Sequence, residues 1–122
     1  MAINFLMTMT RDNVVDELLK AVPEFKKYEN YKQIVAEGNG ALDYVVYGVL
    51  SNYLNQIYTI NPKDPVLLSI AKFIELLAKS DDQKIKNLLI AGFLEDIAFK
   101  PCAEIFFPET QKVVFMIKNS NP

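Results

Sequence analysis

The chain contains no histidine, no tryptophan and a single cysteine. Without histidine there is no Ser-His-Asp or Cys-His catalysis, no histidine metal ligand and no usual proton shuttle near neutral pH. One cysteine and no histidine leave no zinc site. The lone Cys102 also rules out an internal disulfide, so the fold must hold by packing, as suits a reducing compartment. Cys102 reads first as a small buried hydrophobe, with a reactive thiol as the alternative. The four glycines, Gly38, Gly40, Gly48 and Gly92, match neither a phosphate-binding loop nor a dinucleotide fingerprint. Asp64, Asp81 and Asp82 lack the spacing of a calcium loop. No metal and no cofactor are therefore expected.

Long apolar runs are also missing. None approaches the roughly 20 residues that span a bilayer. The longest, Leu88 to Leu94, would fit inside a core helix. The apolar start, Met1 to Met7, has no basic n-region and no Ala-x-Ala-like cleavage site, so no secretory signal is expected. A cytoplasmic protein with no membrane contact is the expectation. Thirteen basic residues against fifteen acidic ones give a net charge of −2. That balance gives no ground for nucleic-acid binding, which relies on neutralising phosphates. Lys26, Lys27 and Lys32 read as a solvated face.

What is present suits a packed helical domain. Of the 122 residues, 51% are hydrophobic and 23% charged, so the chain can build one real core and is not disordered. Gly, Pro, Asn and Asp cut it into about six segments within one domain, 1–122. A first helix is expected from Thr10, a good N-cap, with Val14, Val15, Leu18, Leu19 and Val22 at helical spacing. A second, 24–37, carries Phe25, Tyr28, Tyr31, Ile34 and Val35, and ends at Gly38-Asn39-Gly40. A third is expected over 41–57. The fourth begins at Asp64-Pro65, a cap followed by a proline at the first helical position. It buries Val66, Leu67, Ile70, Phe73, Ile74 and Leu77, with Lys72, Glu75 and Lys79 on the opposite side.

Ser80 and Gln83 have capping-box spacing. The fifth helix, 81–99, is apolar nearly all round, which marks a central element, and Gly92 suggests a close helix contact there. The short turn makes 64–79 and 81–99 an antiparallel hairpin. The segment 100–107 shows two exposed-looking phenylalanines, Phe106 and Phe107. A last helix starts at Pro108, although Lys112 to Ile117 also suits a strand paired with Ile3 to Met7. The fold class is all-α, a bundle of about six helices, with that terminal strand pair as the minor alternative.

Candidate chemistry is sparse. Glu75 and Glu95 sit on hairpin-related helices and could face each other as an acid–base pair. The competing reading is two solvated or lysine-paired glutamates, since such residues are seldom buried. Asp81 and Asp82 read as helix-start residues. Tyr44, Tyr47 and Ser51 share a helical stripe beside Asp43 and Asn55. Tyrosines are enriched at protein interfaces, and equally serve as boundary residues with a wet hydroxyl.

Phe73-Ile74-Glu75-Leu76-Leu77, Ser80-Asp81-Asp82, Asn87-Leu88-Leu89 and Phe93-Leu94-Glu95 together resemble an uncharacterised family of small helical bacterial proteins. Pro23-Glu24-Phe25, Tyr28, the Tyr44–Tyr47 segment and Phe107-Pro108 to Lys112 extend the resemblance over about 14–118. Such families look like orphan immunity proteins of toxin systems, including contact-dependent inhibition. The resemblance implies a small cytoplasmic protein that binds and blocks one toxin domain, and it supplies no catalytic motif. The net charge of −2 departs from the strongly acidic immunity proteins that face basic nucleases. The expectation is a non-enzymatic protein-binding module, with Asp43, Tyr44, Tyr47, Glu75 and Glu95 as contacts. A regulatory or scaffold protein, with apolar helix faces open to self-association, and a carboxylate-pair enzyme are the alternatives.

Overall fold

Every regular segment of the computed structural model, which describes residues 9–120, is helical. Helix α1 spans Val14–Ala21, α2 Glu29–Ala36, α3 Asp43–Ile60 and α4 Pro65–Ala78. Helix α5 changes its winding along its length. It is α-helical over Gln83–Asn87, π-helical over Leu88–Leu94 and α-helical again over Glu95–Ile97. Helix α6 spans Pro108–Asn119, and short 3-10 turns occupy Pro23–Lys27 and Pro101–Ile105. The expected all-α bundle of six helices is the fold observed. Lys112 to Ile117 lies within α6, so the strand alternative fails there. Ile3 to Met7 falls outside the described residues.

The helix ends follow local chemistry. Asp64 is extended and accepts a 2.9 Å hydrogen bond from the Val66 N–H, while Pro65 fills the first position, where no N–H is needed. At the end of α2, Gly38 adopts φ +85°. Its N–H bonds Val35 O, and the Asn39 N–H reaches back to Ile34 O at 2.8 Å. This closure needs the left-handed backbone that glycine takes without strain.

Four helices differ from expectation. Thr10 caps no helix; it closes a turn with Asn13, and α1 begins at Val14. Ser80 is not the cap of α5, because Asp82 accepts from the Lys84 N–H at 2.8 Å. The expected helix over 24–37 is two pieces, broken at Tyr28, whose backbone is extended at ψ 129°. That break sets the Tyr28 ring 4.9 Å from Tyr53 and lets its hydroxyl donate to Gln56 Oε1 at 2.9 Å. Helix α3 begins at Asp43 rather than Ala41 and runs on to Ile60.

One continuous core joins the helices. Leu18 of α1, Leu50 and Leu54 of α3, Ile70, Ile74 and Leu77 of α4, and Leu88 and Phe93 of α5 are all fully buried. Each such side chain contributes about 1.5–3 kcal/mol by leaving water. The π segment of α5 packs most extensively on α3, as expected of a central helix, and α5 also touches α4 across the short Lys79–Asp82 turn. Gly92 marks the closest approach. A Cβ there would lie 2.9 Å from Leu88 Cδ1 and 3.3 Å from the Tyr44 ring, so any larger residue would make the Leu88 side chain and the Tyr44 ring shift.

The connection before α6 corrects a further expectation. Phe106 is buried, edge-on to Phe93 with ring centroids 6.1 Å apart, and Phe107 is half-buried.

Candidate functional site

The most organised surface group lies where α3 begins. A turn at Thr10–Asn13 aims Arg11 across to Asp43, the first residue of α3. Arg11 Nε donates to Asp43 Oδ2 at 2.6 Å, and Nη2 donates to Oδ1 at 2.7 Å. This is the two-pronged pairing that a planar guanidinium makes with a carboxylate. The Tyr44 N–H also donates to Asp43 Oδ1 at 2.8 Å. The guanidinium lies 5.3 Å from the centre of the Tyr44 ring, within cation–π range. The same ring rests against Gly92 of α5.

Charge and exposure make this a platform with a fixed base and an open top. The Asp43 side chain is 11% exposed, and that of Arg11 is 43% exposed. Hydrogen bonding to Arg11 holds the Asp43 carboxyl below its usual range, against the opposing effect of burial. Leu42 and Val45 flank Tyr44, and all three are exposed. Arg11, Asp12, Ala41, Leu42, Asp43 and Lys84 border an open depression of about 310 Å³.

The family model for a domain of unknown function, DUF7674, matches residues 15–115. The chain belongs to that family. No curated protein and no solved structure matches it. The DUF7674 match includes Asp43 and Tyr44, while Arg11, which completes the platform, precedes it.

The other expected site residues lie elsewhere. Tyr47 is fully buried, and its hydroxyl donates to Val14 O at 2.9 Å. Burial, and then the charge of Asp43, push that phenol well above its ordinary value. It pins α3 to α1 and is not available to a partner. Glu75 was expected on the outer side of α4, yet it is buried. Its carboxylate accepts from the Glu109 N–H at 3.0 Å, and from the N–H and hydroxyl of Thr110, each at 2.9 Å. It therefore caps α6. Burial acts to raise the Glu75 carboxyl, but the donors of Thr110 and Glu109, with the charge of Lys79, hold it below its usual range.

Glu95 is exposed and borders a depression with Phe99, Ile117 and Ser120. It therefore lies beside the far end of α6 from Glu75. Glu109 and Ile117 are separated by about 12 Å along a helix axis, so the two carboxylates do not form an acid–base pair. Among the described residues, no group of three or more Cys, Asp and Glu could hold a metal ion. No helix there is long and apolar enough to cross a membrane.

Sequence reasoning found Asp43 and Tyr44 but missed Arg11. One signal was available: Arg11 is the only arginine among thirteen basic residues. A single arginine where every other cation is lysine marks a place that needs the planar fork.

Proposed function

We propose that this chain is a protein-binding module that acts by stoichiometric occlusion, most concretely an immunity protein that neutralises one toxin domain in the cytoplasm. The observation that carries the binding reading is the Arg11–Asp43–Tyr44 platform. Arginine and tyrosine dominate the energetics of protein interfaces, and here both are held in place beforehand, which lowers the ordering cost of association. Leu42 and Val45 beside them supply apolar area. The carboxylate-pair alternative loses its geometric support, because Glu75 is fastened to α6. The toxin partner rests on the resemblance of the Phe73–Leu77 and Asn87–Glu95 segments to orphan immunity proteins.

Co-expression with the product of an adjacent gene, where that gene encodes a large secreted protein with a variable C-terminal domain, tests this reading. Size-exclusion chromatography should show a one-to-one complex that Tyr44→Ala weakens by about tenfold or more. Absence of any complex would end the immunity reading.

A second reading has its own observation. Phe99, Phe115 and Met116 are each more than half exposed, as a self-associating scaffold protein would have them. A molecular mass that rises with concentration in light scattering would favour that reading over a monomeric inhibitor.

A further inference from the structure

Helix α6 is fastened unlike the others. Thr110 and Val114 are its buried residues, while Phe115 and Met116 are 67% and 64% exposed. Val113 and Ile117 are only partly buried. The helix rests mainly on α4 and less on the π segment of α5, with two buried residues among its twelve. Polar bonds at its first turn supply the rest. Glu75 takes two N–H groups and the Thr110 hydroxyl, and Gln111 Nε2 donates to Ala103 O at 2.9 Å and Phe106 O at 3.2 Å. Just before the helix, Phe106 and Phe107 are extended, and Phe106 is anchored against Phe93.

We propose that α6 is a flap latched by Glu75, which opens as one unit ahead of the rest of the fold and bares the apolar sides of α4 and α5 beneath it. The first N–H groups of any helix have no partner within it. Glu75 supplies theirs from another helix, and it is the carboxylate charge that makes those bonds strong. A glutamine or a protonated carboxyl at 75 would turn a donor towards other donors.

Four charged groups surround the latch. Lys72 and Lys79 of α4 border the same depression as Glu75, and on α6 Glu109 pairs with Lys112 at 3.1 Å. The Glu109–Lys112 pair is exposed and contributes little. Further along α6, Glu95 borders Ile117 and Ser120, and Glu104 shares a depression with Gln111 and Lys118; both glutamates are exposed, so acid acts on the flap mainly through Glu75. Because the folded state holds that carboxyl below its usual range, the latch is complete above the ordinary carboxylate value and weakens as pH falls through it.

Hydrogen exchange of the full chain, read by mass spectrometry at pH 7, tests the latch. In Glu75→Gln, amides of 111–119 should exchange about tenfold or more faster and stay less protected than those of α3. Protection in α6 equal to that of the best-protected α3 amides would overturn the proposal, because the latch would then open only with the whole fold. Unchanged exchange in α6 would overturn it as well. The wild-type chain provides a second arm that does not depend on the variant folding. On acidification from pH 7, α6 should lose its protection factors before α3 does, and simultaneous loss would overturn the flap.

Discussion

Asp43 and Glu75 are both carboxylates placed at the start of a helix, where the dipole favours negative charge. They do opposite jobs. Asp43 serves its own helix and answers to Arg11, a cation with 43% of its side chain in water. Glu75 serves another helix and answers to N–H and O–H donors of the protein itself. Both carboxyls are held below their ordinary range, by the guanidinium in one case and by α6 in the other. The lesson is that the electrostatic motif does not decide the role. What decides it is whether the counter-group remains wet. A wet arginine can be read by a partner, whereas a dry helix end can only be held.

The largest effect should come from removing the inward carboxylate. Glu75→Ala leaves two backbone donors and the Thr110 hydroxyl without their acceptor, and should cost about 2–3 kcal/mol in urea unfolding. Asp43→Ala should cost less, because Arg11 can return to solvent. If Asp43→Ala proved the more destabilising, the contrast between wet and dry counter-groups would be wrong.

Between these two lies Tyr47, one turn beyond Asp43 but buried. Tyr47→Phe keeps the ring and removes the bond to Val14 O. A loss of about 1 kcal/mol is expected in the same measurement. An effect near zero would mean that the hydroxyl is not what ties α3 to α1.

Much of the fold was legible because apolar spacing and caps are local. Asp64-Pro65 announced α4 to the residue, and Gly92 announced a close helix contact. The π winding was not legible, because a stretch apolar on every side reads alike at either pitch. The break at Tyr28 was hidden for a related reason. Phe25, Tyr28 and Tyr31 fit a helical stripe, and only packing on Tyr53 shows why the backbone leaves it. At the candidate site, Asp43 and Tyr44 stood out by type and spacing. Arg11 pairs across 32 positions and Glu75 caps a helix across 35, distances over which no periodicity carries information. Glu75 with Lys79 four residues on looked like a surface pair, and nothing local indicated that α6 would cover it.

The smallest effect on stability should accompany a clear effect on binding. Lysine in place of Arg11 keeps the charge but loses the two-pronged fit to Asp43 and the flat face over Tyr44. An exposed pair contributes little to folding, so the thermal midpoint should stay within about 2 °C. The Tyr44 ring, released on one side, should lose its fixed orientation, and a partner that uses the platform should bind about tenfold more weakly. Salt separates the two regions independently of any partner. Raising it to about 1 M screens wet charges within a few ångströms, and should shift the Arg11 Nε and Tyr44 ring resonances while leaving the Thr110 amide in place. If the Thr110 amide moved with them, the Glu75 latch would be as accessible to water as the platform, and the two carboxylates would differ only in position.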